Sequence, residues 1–336
     1  MKKILVGLML VVLFLGACAS PVEAPVVEND PEVSVFQKAQ DGKPIRFITN
    51  QSGHPFILMG IAGFKEACKD YDLLCELAVS EDADNAKLFA IVDGTQADAV
   101  SGVVLSINNQ SRYPAGQDLV DKGIPLASWH ATVPLGAVDG ILTRAGPNQV
   151  EYGFAAGKAG AEKAGCAGPV AMSTSGWAEH ELIVSDSMEA GWKEVCPDTE
   201  FLPVIAIGSG DDAKGISTAS ALLQGNPDVA VAFSTTTDGA RWWSVSAQDV
   251  GIEKGKILII GMDATRANLD LVKNGDVWML VGQPVFEEAY FATSMIVNHL
   301  LGYPVPVNND LPAPQVTLEN VDDFYALLDK VDALNE

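Results

Sequence analysis

A six-residue word occurs twice in this chain. Gly63-Phe64-Lys65-Glu66-Ala67-Cys68 and Gly191-Trp192-Lys193-Glu194-Val195-Cys196 share a glycine, an aromatic, a Lys-Glu pair, a small apolar residue and a cysteine. Each lies near the end of an amphipathic run, and a short apolar, strand-like run follows within a few residues, 73–79 after the first and 201–207 after the second. The repeated unit is therefore strand, helix carrying the word, turn, strand. Two ordinary βαβ units would produce it; so would two similar α/β lobes with a cleft between them.

The rest of the chain extends the alternation. In the first half, strands are expected at 44–49, 73–79, 99–105, 124–128 and 138–143, with helices at 56–69, 85–96 and 115–122 between them. The second half repeats the scheme, with helices at 149–163, 181–195, 212–223, 239–249, 266–273, 285–301 and 322–334. Its strands are expected at 169–173, 201–207, 229–234, 257–262, 277–281 and 315–318. Pro55 suits the first turn of its helix. Strands alternating with helices read as parallel sheets covered on both faces. The 336 residues suffice for about two domains of ordinary size, and 48% hydrophobic residues supply a full core.

The N-terminus stands apart. Lys2 and Lys3 precede an apolar run, 4–14, that is too short to span a bilayer. Leu15-Gly16-Ala17-Cys18 resembles the bacterial lipobox, so 1–17 is expected to be a signal peptide and Cys18 the lipidated residue. Residues 18–42 then read as an acidic tether broken by Pro21, Pro25 and Pro31. The net charge of −23 repels nucleic acid and anionic lipid, which argues against phosphate-backbone binding. Export permits disulfides. Four cysteines allow three connectivities; pairing Cys68 with Cys75 and Cys166 with Cys196 keeps each bridge inside one half. No Cys-x-x-Cys or His-x-x-x-His spacing supports a metal.

Motifs of hydrolases and metalloproteases are missing: there is no Gly-x-Ser-x-Gly and no His-Glu-x-x-His. Residues 208–215 faintly resemble a phosphate loop but read better as a strand-to-helix turn with an aspartate cap. Asp82-Ala83-Asp84 reads as helix-capping acids before a cation loop. Parallel α/β sheets bind ligands at the carboxyl ends of their strands. Those ends carry Asn50, His54, Phe56, Trp129 and His130 in the first half. In the second they carry Ser175, Trp177, Thr235, Thr236, Thr237, Asp238, Asp263 and Gln283. Aromatic faces beside hydroxyls, amides and a carboxylate suit a neutral polyhydroxylated molecule. Core packing is the competing reading for the aromatics, and an N-cap for Asp263.

Several short motifs then occur in a telling order: the lipobox, Pro55-Phe56, the Gly-Phe-Lys-Glu word, Asn226-Pro227-Asp228-Val229, Ile260-Gly261-Met262-Asp263 and Gly282-Gln283-Pro284. From about residue 45 to 318 the chain resembles the ribose-binding-like, type I solute-binding proteins of bacterial ABC importers. The resemblance implies two Rossmann-like lobes joined by three hinge crossings, near 146–149, 282–284 and 312–315. It divides the chain into an N-terminal lobe, 43–147 plus 284–313, and a C-terminal lobe, 148–283 plus 314–336. It implies capture and delivery to a permease rather than catalysis, with no cofactor. The expected partners are a small molecule, a sugar first, the permease and ATPase subunits, and the membrane through the lipid anchor alone; the chain is expected to be a monomer. Nucleoside or autoinducer-like ligands, a sensory module feeding a receptor or kinase, and a secreted enzyme on the same fold are the alternatives. Carried over by position, the resemblance places ligand contacts on Phe56, His130, Asn148, Thr236 or Thr237, Asp263 and Gln283, beside Asn50, Trp129 and Trp177 from the strand ends. Two departures stand out: Ala131 and Met188 occupy positions where such proteins often carry arginine, which argues against ribose itself.

Overall fold

A computed structural model describes residues 34–336 except 51–52, 81–84, 131–135, 177–178 and 208–210. Cys18, Trp177 and the Asp82-Ala83-Asp84 cluster therefore lie outside the described residues. The chain begins with helix α1 (Val35–Gln40), β1 (Ile45–Asn50), α2 (Pro55–Asp70), β2 (Cys75–Ser80) and α3 (Asn85–Gly94). It continues through β3 (Gly102–Ser106), α4 (Tyr113–Asp121), β4 (Leu126–Trp129) and β5 (Thr143–Gly146). The next stretch holds α5 (Gln149–Ala164), β6 (Val170–Thr174), α6 (Glu179–Val195), β7 (Ile205–Ala206), α7 (Asp212–Gly225) and β8 (Val231–Ser234). Then come α8 (Gly239–Asp249), β9 (Leu258–Met262), α9 (Arg266–Asn274) and β10 (Met279–Val281). The last elements are α10 (Val285–Leu300), β11 (Asn308–Asp310), β12 (Gln315–Val316) and α11 (Val321–Asn335).

Two six-stranded sheets result, in the orders β11-β5-β4-β3-β1-β2 and β12-β10-β9-β8-β6-β7. Strand for strand these are the same order, with β1 of the first sheet matching β6 of the second, and β4 matching β9. All pairs are parallel except β10 with β12. The chain passes between the sheets three times, at 147–148, 282–284 and 311–314, because β5, β10 and β11 each end one sheet's share of the chain. Strands buried on both faces need helices above and below, and the buried runs of β3, β4, β6 and β8 meet that condition.

The repeated word has a packing reason. A Cβ on Gly63 would lie 2.0 Å from the Phe286 carbonyl oxygen, and one on Gly191 would lie 2.0 Å from that of Phe154. Each glycine thus lets its helix touch a neighbour's backbone: α2 against α10, α6 against α5. The aromatic that follows enters the core, Phe64 against Phe47 and Trp192 edge-on to Phe233. The cysteine ends the word in a disulfide, Cys68–Cys75 in the first half and Cys166–Cys196 in the second, as the spacing predicted.

Several expectations are corrected. The segment 138–143 is not a strand; turns occupy it, and the strand starts at Thr143. Expected strand 201–207 shrinks to Ile205–Ala206 and a single bridge at Phe201, because Pro203 has no N–H to pair. The tether does not run to 42: α1 folds onto the body, with Phe36 edge-on to Tyr71 and buried Gln40 bonding both backbone groups of Leu74. Strand β11, Asn-Asn-Asp, was not foreseen; it has no apolar pattern and is held by pairing with β5 and by Asn309 donating to the Thr143 hydroxyl and the Arg144 carbonyl.

Candidate functional site

Two residues after matching strands share an uncommon backbone. His130 follows β4 with φ of 47°, and Asp263 follows β9 with φ of 65°. Non-glycine residues seldom adopt this left-handed conformation, and at such positions it is often tied to function. Both side chains are buried, at 4% and 5% exposure, and His130 helps to lower the Asp263 carboxyl.

Asp263 is held from both sides. Thr237 Oγ1 donates to Oδ2 at 2.5 Å, and Gln283 Nε2 donates to Oδ1 at 2.7 Å. Burial pushes its carboxyl above the ordinary value, while these two donors, then His130 and His54, pull it back. The N-cap reading of Asp263 is overturned: Thr265 caps α9, its hydroxyl accepting from Asn268 N–H, and Asp263 is left for the site. Asn268 buttresses the turn by donating to the carbonyls of Thr237, Met262 and Asp263. Of the two adjacent threonines, Thr237 reaches the carboxylate; Thr236 pairs with Ser234 at 3.2 Å and faces back toward the strand.

His130 sits between the halves. Phe56, second residue of α2, meets its ring edge-on at 4.8 Å; His180, second residue of α6, does so from the other side at 5.6 Å. Its Nδ1 lies 3.6 Å from Glu288 Oε2, on α10. Glu288 has no exposed surface, and among the described residues neither of its oxygens has a hydrogen-bond partner. Tyr152 occupies the same place on α5 that Glu288 occupies on α10, the fourth residue after a crossing. Its buried hydroxyl is pushed well above the ordinary value by burial, then by Asp263, Glu288 and Glu181. Glu181 accepts from Ser175 N–H at 2.7 Å, and burial lifts its carboxyl to about 7. Burial, helped by His130, drops the His180 imidazole to about 3, so it is neutral.

The other expected residues fall in different places. Asn50 is buried at the end of β1 and accepts from Arg112, which also donates to Asn85 and the Ser106 carbonyl. Trp129 has no exposed surface; it stacks on Phe47 at 5.3 Å, closes over Gly60 and backs Phe56, so it is core rather than a ligand face. Asn148 caps α5, accepting from the Val150 and Glu151 N–H groups. Met188 is core as well, against Gly157. Asp211 caps α7, the aspartate cap expected there, while 208–210 lie outside the described residues. Sequence reasoning missed Glu288, Tyr152, His180, Glu181 and Arg112. Glu288 had a signal: it interrupts the buried face of α10 formed by Val285, Phe286, Ala289 and Ala292. Among the described residues, no group of His, Cys, Asp and Glu side chains is arranged to hold a metal ion.

A family model described as periplasmic binding protein domain matches residues 45–304. Comparison with curated protein sequences returns no match. Among solved structures, a sugar ABC transporter sugar-binding protein from Bacillus halodurans superposes with a TM-score of 0.76 at 22% identity, covering 84% of this chain and all of the other. A periplasmic ribose ABC transporter protein from Conexibacter woesei gives 0.77 at 20% identity, over 84% and 95%. A solute-binding protein from Bacillus halodurans with bound myo-inositol gives 0.72 at 20% identity, over 85% and 98%.

Proposed function

The chain belongs to the periplasmic binding protein domain family, and from that premise we propose that it is the solute-binding component of an ABC importer, capturing a sugar between its lobes. The family is one of binding components, not enzymes. The observation that carries the proposal is the paired arrangement at the strand ends: His130 of one half and Asp263 of the other, both in left-handed turns, both buried, with Phe56 and His180 closing on the histidine. A carboxylate held by Thr237 and Gln283 is positioned without being used up, since each oxygen keeps a lone pair for a ligand hydroxyl. Similar folds of known ligand, the ribose and myo-inositol proteins, support a polyol.

In this reading 34–147 with 284–313 forms one lobe and 148–283 with 314–320 the other, α11 packs against both, through Lys330 with Glu66 on one side and Arg266 with Asp332 on the other, and the three crossings act as the hinge. Ligand-binding residues are Asn50, Phe56, His130, Thr237, Asp263 and Gln283. Lipidation at Cys18 holds the protein outside the cytoplasm, from where it delivers ligand to a permease. A thermal-shift screen of pentoses, hexoses and inositols tests the central claim. A ligand at 1,000 times its dissociation constant stabilises by about 4 kcal/mol, an easily read shift. Small-angle scattering with the hit should show a smaller radius of gyration. A panel with no shift would refute sugar capture. For the anchor, Cys18→Ala should release the protein from membranes; undiminished retention would refute lipidation.

A further inference from the structure

We propose that α11 is a clasp between the lobes: anchored on the second lobe, it grips the first by its last turns, and so favours the closed form and raises ligand affinity. The inference rests on the two-lobe reading and not on the identity of the ligand.

The start of α11 belongs to the second lobe. It follows β12 after the turn 317–320, which Asn320 ties by accepting from the Thr317 N–H and donating to the Gln315 carbonyl. Asp322, Tyr325, Asp329 and Asp332 then fall three or four residues apart, on one face of the helix. That face meets α9: Lys273 pairs with Asp322, the Tyr325 hydroxyl donates to Asp270, and Arg266 reaches Asp329 at 2.9 Å and Asp332 at 2.5 Å.

The end of α11 rests on the first lobe, and the Lys-Glu pair of the repeated word receives it. Lys330 Nζ lies 2.9 Å from Glu66 Oε1 and 4.8 Å from the centroid of the Phe286 ring. Lys65 Nζ donates to the Leu334 carbonyl at 2.8 Å and to Asn335 Oδ1 at 3.2 Å, and Asn335 Nδ2 donates back to the Leu58 carbonyl at 2.9 Å. The last carbonyls of a helix have no partner within it, and the helix dipole favours a cation there. Lys65 supplies both from the other lobe. In the second copy of the word, Lys193 pairs instead with Glu189 of its own helix. Between the two sets of contacts a cavity of about 480 Å³ lies under α11, lined by Met59, Ala264, Leu311, Pro312, Phe324 and Leu327. The helix thus spans a gap between the lobes rather than filling it. Parting the lobes keeps the turn 317–320 and the α9 contacts but withdraws α2, so Lys65, Lys330 and Asn335 exchange their partners for water. Contacts made in one of two states shift the balance toward that state.

The test is small-angle scattering of the full chain, with ribose and myo-inositol as probes. Lys65→Met with Asn335→Ala removes the hydrogen bonds of the last turn and keeps an apolar stem at 65. Without sugar, this variant should have a larger radius of gyration than the parent. A saturating probe that binds the parent should bring the two radii together, at an affinity about tenfold lower in the variant. Glu66→Lys sets two cations against each other and should open the protein likewise; adding Lys330→Glu should restore the parental radius. Melting temperatures confirm that each variant is folded. A parental radius in both Lys65→Met with Asn335→Ala and Glu66→Lys, beside a parent that contracts with sugar, would overturn the clasp and leave the hinge intact. A lowered melting temperature with unchanged radius would overturn it too, reducing α11 to a strut. If neither a bound sugar nor any variant moves the radius, the two-lobe hinge falls with the clasp. If neither probe binds, the radii of the ligand-free proteins still decide.

Discussion

Replacing Glu181 by glutamine should make the ligand-free protein more stable above pH 7 and leave it unchanged near pH 4. Burial lifts this carboxyl from an ordinary 4.5 to about 7, against the opposing effect of the Ser175 N–H it accepts from. The unfolded chain ionises at the ordinary value. The folded value is raised, so the stability linked to this proton is fully present below pH 4.5 and is lost as pH rises through 7. The whole effect, with 1.36 kcal/mol for each decade, is about 3 kcal/mol. Glutamine keeps the shape and an acceptor for Ser175 but never ionises, so its stability follows that of the protonated native side chain. Urea unfolding followed by tryptophan fluorescence, from pH 4 to 8.5, reads the difference directly. The two stability curves should coincide at the acid end and separate to about 3 kcal/mol by pH 8.5. Parallel curves across that window would refute the claim that the ionised carboxylate is penalised by its burial.

Three further changes probe the site and its frame. Asp263→Asn should weaken binding of the best sugar at least about tenfold, since charge-assisted hydrogen bonds contribute about 1.5–3 kcal/mol each; an unchanged dissociation constant would remove Asp263 from the site. Gly191→Ala places a methyl 2.0 Å from the Phe154 carbonyl oxygen and must part α5 from α6. It should cost about 1–3 kcal/mol, and a melting temperature within a degree of the parent would contradict the close approach. The double change Cys166→Ser with Cys196→Ser should cost up to about 3.7 kcal/mol by loop entropy, against about 2.5 for Cys68→Ser with Cys75→Ser; a larger loss from the shorter loop, read by urea unfolding, would argue that chain entropy is not the controlling factor.

The alternation of elements and both disulfides were legible in the linear sequence because they are local. A buried strand announces itself as an apolar run, and Cys68 at the end of α2 reaches Cys75 of the adjoining strand without help from the rest of the fold, whereas Cys166 and Cys196 join the ends of successive helices, α5 and α6, within one half. The doubled word was informative for a related reason: a helix that must touch another's backbone can tolerate only glycine at the contact, and Gly63 and Gly191 record that demand. Asp263 and His130 were found because the carboxyl end of a parallel strand is a position that sequence can locate. Their roles were not legible. Whether Asp263 caps a helix or faces the cleft depended on Thr265, two residues on, taking the cap. Trp129 and Met188 were drawn into the core by packing that crosses from one element to another, which no spacing along the chain reports. The surroundings of Tyr152 belong wholly to the tertiary structure. Glu181, Asp263 and Glu288 are far apart in sequence, and only two sheets of identical strand order, exchanging chain at three crossings, bring their charges onto one tyrosine.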